Sequence, residues 1–288
     1  MYFTESDHVY RDEHGTEYVS GTTLIHRAFP EFDSAAISAK CAKRHGVDQS
    51  EILADWERRN KAGTRAHENC EYQILGQYDR MHAPEDETER VRFAAAWEEV
   101  EKIRAAGFQW MSPEYVVFSP RFLIAGSIDL LCCRDDQNYL IVDWKYLKKM
   151  RYKAFRDEVG TIRPTGHLPN CNYMHYSLQL NLYEFILKAE GYIPVGADVR
   201  KVLNWYNSEA GKFENIGVRD MPTEAAMLAA WNVTADPEGG YRFEVLRKRI
   251  QQERGLPGVR VSGVVQGSCR PSADRAHEGI HEHGRCID

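Results

Sequence analysis

The order of apolar and polar positions divides the first hundred residues into a short hairpin and three helices. Residues 1–20 alternate weakly about a polar turn at 12–15, which predicts a small β-hairpin. Apolar side chains then recur at helical spacing over 34–45, 49–75 and 84–106, and predict helices there. Gly63 lies inside the second stretch and weakens the case for one unbroken helix.

Beyond residue 107 the helical spacing gives way to runs rich in β-branched, leucine and aromatic residues, which are typical of strands. Gly and Pro later mark a loop over 157–171. The predicted strands are 114–119, 122–133, 139–144, 199–206 and 213–218, and the predicted helices are 173–190, 222–233 and 241–253.

This order of elements predicts one α/β domain over residues 1–254, with a central mixed β-sheet flanked by helices. Its expected parts are a helical N-terminal region at about 22–106, a core at about 107–219 and closing helices at about 220–254. Gly, Ser, Arg and His dominate residues 255–288, so we expect a flexible tail there.

Charge and cysteine content narrow the class of protein. The 37 Lys and Arg residues against 43 Asp and Glu argue against a histone-like binder, although a nucleic-acid enzyme needs only a local basic groove. Seven cysteines without a C-x-x-C pair disfavour a zinc finger, a disulfide scaffold and a four-cysteine iron–sulfur cluster. With no apolar signal core and no membrane-spanning run, we expect a cytoplasmic protein.

Two aspartates in the apolar strands are the first candidates for chemistry. In a hairpin centred on Asp136, Asp129 and Asp143 each lie seven residues from the centre and face each other. Their Cβ atoms would then be about 4.5–5.5 Å apart. Lys145 follows Asp143 by two residues, so its side chain projects from the same face.

Opposed carboxylates in an apolar β-ribbon repel each other, and burial increases the cost. A divalent cation between them removes this cost, and oxygen ligands favour Mg²⁺ or Mn²⁺. A lysine beside such an ion could stabilise charge that develops on a phosphate. The alternative is a surface hairpin with two solvated aspartates, against which the apolar neighbours 128, 130–131 and 140–142 argue.

Four short blocks resemble the PD-(D/E)XK nuclease superfamily, and more narrowly its RecB-like branch, which includes phage-type exonucleases. They are GTRAHE at 63–68, GSID at 126–129, DWK at 143–145 and QLNLY at 179–183. The first is similar to the G-x-x-x-H helix of that branch and the last to its Q-x-x-x-Y helix. Two positions depart from the usual pattern, because Ile128 stands where proline is common and Asp143 stands in place of glutamate.

The resemblance implies a restriction-endonuclease-like core, assigns roles to individual residues and implies no iron–sulfur cluster. Lys145 would be the catalytic lysine, and Gln179 and Tyr183 would position DNA or that lysine. The implied ligands of one or two Mg²⁺ or Mn²⁺ ions are Asp129, Asp143, the backbone carbonyl of Trp144 and His67. Glu71, one helical turn after His67, and Glu114, at the start of the preceding strand, are further candidates, and for each a solvated carboxylate is the alternative.

Basic and aromatic residues alternate directly after the catalytic strand. Basic charge neutralises phosphates and aromatic rings stack on unpaired bases, so a DNA-binding groove is the favoured interpretation and a solvated loop the alternative. The candidate DNA-binding residues are Lys148, Lys149, Arg151, Lys153, Tyr146 and Tyr152.

Together these features predict a metal-dependent DNA exonuclease. The alternatives are a restriction or repair endonuclease on the same fold and a nucleic-acid-binding module that does not cleave. The resemblance also implies a phage recombination role, with a recombination or single-strand-annealing protein as partner.

Overall fold

The computed structural model describes residues 1–4 and 9–234. The predicted helix at 241–253 and the predicted tail at 255–288 lie outside the described residues. The strands are β1 (Tyr2–Thr4), β2 (Val9–Arg11), β3 (Glu17–Ser20), β4 (Trp110–Ser119), β5 (Ile124–Asp135), β6 (Asn138–Lys145), β7 (Asp198–Asn207) and β8 (Lys212–Gly217). The helices are α1 (Gly21–Arg27), α2 (Ser34–His45), α3 (Gln49–Leu75), α4 (Glu87–Ala105), α5 (Asn172–Ala189) and α6 (Pro222–Thr234).

Within the described residues, the eight strands form one mixed sheet, which confirms the predicted α/β fold class. β3 runs parallel to β5 and β6 runs parallel to β7, while the other neighbouring pairs are antiparallel. The N-terminal hairpin is therefore not a separate unit, because its last strand joins the central sheet through β5.

The two edges of β5 are paired to different extents, and one edge has a gap in its strand pairing. β4 pairs along one edge of β5 for nearly its whole length. The other edge is shared, because β3 pairs with Ile124 and Ala125 while β6 pairs from Leu130 onward. Residues 126–129 lie between the two paired stretches, and no other strand of the described part of the chain pairs with this edge there.

Helices cover both faces of this sheet, because alternate residues of β5 and β6 point to opposite sides. Leu131 and Ile141 pack with α1 and α5, and Leu130 and Val142 pack with α3 and α4. No helix among the described residues has the length and apolar content to cross a lipid bilayer.

Local signals explain the ends of the long helices. The Asp33 side chain accepts a hydrogen bond from Ala36 N (2.8 Å) at the start of α2, and Glu51 accepts one from Asp48 N (3.2 Å) at the start of α3. Gly76 ends α3 in the left-handed conformation, with φ of 70°. α3 is nevertheless unbroken at Gly63, contrary to the weakening expected from that glycine.

Candidate metal centre and active site

The hairpin that carries the two aspartates has the predicted register. Leu130 lies opposite Val142 and Leu131 opposite Ile141, as a centre at Asp136 predicts, and the pairing ends there, one step before Asp129 and Asp143. Asp129 Oδ2 accepts a hydrogen bond from the backbone N–H of Trp144 (2.9 Å). Since the N–H and C=O of one strand residue point toward the same neighbour, the Trp144 carbonyl also faces the side of Asp129.

Three elements contribute one potential metal ligand each. His67 on α3, Glu114 on β4 and Asp129 on β5 place their ligand atoms within 4.8 Å of one another. The His67 Nδ1 to Asp129 Oδ2 distance is 3.4 Å. Because the two carboxylates are partly buried and this close together, a divalent cation would relieve their repulsion, and the donor set fits such an ion. The site therefore has the chemistry of a metal centre.

Two other predicted ligands lie outside this three-residue group. Asp143 is almost completely buried, and its Oδ2 is 2.8 Å from Lys145 Nζ. Glu71 is buried in α3, one turn beyond His67. Among the residues that the structure describes, the group of three forms without either carboxylate.

Glu114 reaches the group through an irregularity in the sheet. It lies opposite Asp129, between the paired positions Pro113↔Leu130 and Tyr115↔Ile128, and its φ of 44° is left-handed. A non-glycine residue with such a φ costs about 1–3 kcal/mol and is frequent at functional sites. Its carboxylate accepts a hydrogen bond from Ser127 Oγ (2.8 Å), which fixes one Glu114 oxygen beside Asp129.

Lys145 is held between a carboxylate and an aromatic ring. Its Nζ lies 2.8 Å from Asp143 Oδ2 and 4.5 Å from the centre of the Tyr176 ring on α5. A cation over an aromatic face is attracted to the ring's negative quadrupole, and burial strengthens this attraction. The ammonium group is thus confined to one position next to the acidic centre.

Gln179 and Tyr183 meet at the gap in the edge of β5. Gln179 Nε2 donates to Tyr183 Oη (3.0 Å) and lies 3.3 Å from Thr22 Oγ1 on α1. The Tyr183 ring covers Gly126 so closely that a Cβ there would come within 2.6 Å of Tyr183 Cε1. Burial raises the pKa of Tyr183, so its hydroxyl stays protonated and packs over Gly126 as a neutral group.

The predicted DNA-binding residues divide into exposed and packed side chains. Tyr146 is half-buried, and its ring contacts those of His67 (5.2 Å between ring centres), Tyr206 and Phe213. This position supports His67 and leaves the Tyr146 ring less accessible to a base than the exposed Tyr152. The other candidates, Lys148, Lys149, Arg151 and Lys153, are exposed.

Three residues at the site were not identified from the sequence. Ser127 precedes Asp129 by two residues, so strand alternation alone could have suggested it. Tyr176 precedes Gln179 by three residues on the same helix, which is a usable signal for a shared face. Thr22 is distant in sequence from every motif, and no local pattern indicates it.

The family model of the PD-(D/E)XK nuclease superfamily matches residues 2–252. No curated protein gives a significant match.

Two solved structures resemble the chain distantly. A crystal structure of a candidate exonuclease from Eubacterium rectale is 12% identical, with a TM-score of 0.42, and the alignment covers 99% of this chain and 97% of that one. The crystal structure of SSO0001 is 13% identical, with a TM-score of 0.27 and coverage of 60% and 73%.

Proposed function

The chain belongs to the PD-(D/E)XK nuclease superfamily, and we propose that it is a Mg²⁺- or Mn²⁺-dependent deoxyribonuclease that degrades DNA from an end. The observation that carries the proposal is the convergence of His67, Glu114 and Asp129 beside the ion pair of Asp143 and Lys145. Three potential ligands and an ammonium group in one partly buried place suit hydrolysis of a phosphodiester.

The proposed division of labour follows from the contacts. His67, Glu114 and Asp129 would hold the ion, with Asp143 and the Trp144 carbonyl as adjoining ligands. A bound divalent cation would polarise the phosphate and lower the pKa of a water molecule. Lys145 would offset the negative charge that develops on the phosphate, since its Nζ is already confined by Asp143 and Tyr176.

Gln179 and Tyr183 would act by position rather than by chemistry. Their hydrogen bond and the contact of Tyr183 with Gly126 fix α5 against the strand that carries Asp129. Because Tyr183 is buried and protonated, it packs against Gly126 without adding charge. This role would keep the spacing between Lys145 and the acidic group constant through the reaction.

The preference for ends over internal sites rests on the resemblance of the 63–68 and 179–183 blocks to exonuclease motifs. Two finer parts of the proposal rest on the resemblance alone: a phage recombination role and a recombination or single-strand-annealing protein as partner. A cytoplasmic location rests instead on the cysteine content and on the lack of an apolar signal core in the sequence. DNA contact through Lys148, Lys149, Arg151 and Lys153 is supported by their exposure and by their position directly after Lys145.

The test compares linear DNA labelled at one end with closed circular DNA. Linear and closed circular DNA are incubated with the protein in Mg²⁺, in Mn²⁺ and with a chelator, and products are resolved by length. We expect metal-dependent degradation of the linear form and an intact circle. Cleavage of the circle would instead identify an endonuclease, and no cleavage of either form would contradict the proposal.

A lysine substitution makes this test specific to the site. Lys145→Met should lower the rate by about 10²–10³-fold, the usual effect of losing one group that stabilises a transition state. Lys102→Met is the matched control, because Lys102 also pairs with a buried carboxylate, Glu99 (3.1 Å), but on α4. Equal activity of the Lys145→Met and Lys102→Met variants would remove Lys145 from the mechanism.

A further inference from the structure

The segment 148–157 leaves the proposed active site with a high density of positive charge. It begins three residues after Lys145, and no acidic residue occurs in it before Asp157. Its exposed basic side chains are Lys148, Lys149, Arg151, Lys153 and Arg156. Such a segment attracts a polyanion, but charge alone does not distinguish paired from unpaired DNA.

The base of this segment is clamped close to the catalytic lysine. Asn172 is the first residue of α5, and its side chain accepts from Arg151 N (2.8 Å) and donates to Lys149 O (3.2 Å). Tyr176, whose ring contacts Lys145, follows one turn later on the same helix. At 1.5 Å rise per residue, the clamp is about 6 Å along the helix axis from Tyr176. A DNA strand bound to this segment would therefore lie next to the proposed active site.

Two aromatic rings on the segment are exposed rather than buried. Tyr152 is 54% exposed, and its ring rests on that of Tyr173 at 4.9 Å between ring centres. Tyr173 in turn donates a hydrogen bond from its hydroxyl to Gly217 O (3.0 Å) on β8. Phe155 is 69% exposed, with the Arg156 guanidinium 5.0 Å from its ring centre. Within the part of the chain that the structure describes, both rings therefore keep surface that is accessible to a ligand.

The backbone beyond Phe155 is constrained. Arg156 and Asp157 both have a left-handed φ of 54°, which costs about 1–3 kcal/mol for each non-glycine residue. The chain is then tied down, since Val159 bridges to Pro169 and Glu158 accepts a hydrogen bond from Asn170 (3.1 Å). A tight turn thus presents Phe155 on a fixed base, which reduces the entropy lost when the ring is used for binding.

We infer that Tyr152 and Phe155 stack on unpaired bases of the strand that enters the active site, so that the protein binds single-stranded DNA in preference to a blunt duplex. The inference rests on the proposed function, whose substrate it specifies. In a duplex the base faces are stacked on each other, whereas in a single strand they are free for aromatic side chains. The basic residues on either side of the rings neutralise the phosphates of the same strand.

Binding is measured by fluorescence anisotropy in the Lys145→Met background and with a chelator, so that cleavage during the measurement is negligible. The probes are a labelled oligothymidine of about 20 nucleotides, long enough to cover one single-strand site, and a blunt hairpin duplex, at one fixed salt concentration. Phe155→Leu should weaken binding of the single strand about 5- to 100-fold and that of the duplex by less than about twofold, since one base stack contributes about 1–3 kcal/mol. Phe155→Trp should keep the affinity for the single strand.

Val195→Ala is the matched control, because Val195 is 78% exposed between α5 and β7 and lies outside the basic segment. It should change neither affinity. Single-strand binding by Phe155→Leu that equals the parent affinity would overturn the inference, as would an equal loss on both probes. These outcomes are independent of cleavage, so failure of the parent protein to degrade DNA would contradict the proposed function and not this binding preference.

Discussion

The ion pair of Asp143 and Lys145 and the segment 148–157 are neighbours in the sequence but are held in place differently. The pair lies on β6, a central strand with partners on both edges, and the Tyr176 ring confines the lysine from α5. The segment is clamped at its base by Asn172, while its charged and aromatic side chains point into solvent. Substitutions in the first region should therefore change turnover, and those in the second should change DNA binding.

The largest loss of turnover should come from a substitution in the group of His67, Glu114 and Asp129. Asp129→Asn should lower turnover by more than about 100-fold, the upper loss typical of residues that only support a metal ligand. It should also abolish any rise in melting temperature that Mn²⁺ causes in the parent protein, because binding to the native state stabilises it. Melting curves with and without Mn²⁺ measure this second effect.

Asp198→Asn is the control for this change, since Asp198 is an exposed residue at the start of β7. It should leave turnover and the Mn²⁺ response unchanged. If Asp129→Asn keeps the full Mn²⁺ shift in melting temperature, the group of His67, Glu114 and Asp129 is not the metal centre.

The next effect concerns the contact between Gly126 on β5 and the Tyr183 ring. Gly126→Ala places a Cβ 2.6 Å from the buried Tyr183 ring, and such overpacking costs about 1–3 kcal/mol of unfolding free energy. Turnover should fall as well, because Asp129 follows by three residues. Urea denaturation measures the first change. Gly196→Ala, where a Cβ would meet no atom within 4 Å, should leave both values unchanged.

A double variant shows whether the Tyr183 contact is the cause. Gly126→Ala combined with Tyr183→Leu should be more stable than the sum of the two single changes predicts, because the smaller side chain leaves room for the added methyl group. If the two changes in unfolding free energy are strictly additive, the cost of Gly126→Ala does not come from its contact with Tyr183.

A smaller effect is expected from the ring beneath the lysine. Tyr176→Leu removes a cation–π contact of about 0.5–2 kcal/mol, so the turnover number should fall about 2- to 30-fold with little change in KM. Tyr176→Phe keeps the ring and should keep most of the turnover. Steady-state kinetics on one labelled substrate separate the two parameters, and equal losses in both variants would show that Tyr176 does not position Lys145 through its ring.

The smallest effect on turnover should come from the basic segment. Lys148→Ala, Lys149→Ala and Lys153→Ala combined should leave the saturated rate unchanged and raise KM. The slope of log affinity against log salt should become shallower by about 0.7 for each phosphate of a single strand that these lysines no longer neutralise. Titrations at several salt concentrations measure the slope, and an unchanged slope would place the DNA path outside this segment.

The hairpin of β5 and β6 shows how much of the structure local sequence patterns predict. Its centre at Asp136 follows from strand periodicity and one polar turn, and the pairs from Leu130↔Val142 to Cys133↔Tyr139 agree with it, before a register shift next to the turn. The facing of Asp129 and Asp143 stays a prediction, because it lies one step beyond the paired residues. The boundaries of α2 and α3 follow equally well, because their caps lie beside the helices in the sequence. β4 begins four residues before the predicted start at 114, since Trp110 to Pro113 carry no clear alternation.

The site required information that adjacent residues do not carry. Sequence motifs identified His67 and Asp129, but not that Glu114 would complete their group while Asp143 paired with Lys145. Glu114 combines a left-handed φ with a hydrogen bond from Ser127 on the neighbouring strand, and no turn signal in the sequence indicates either.

The sequence by itself determined most of the helices, though not α1, and most of the hairpin register, because periodicity, caps and turns act between residues that are close along the chain. The tertiary structure alone decided that β3 and β6 share one edge of β5, that Tyr183 packs over Gly126 and that Tyr176 lies beneath Lys145. These contacts join elements separated by many residues, and they exist only once the order of the strands and the packing of α5 are established.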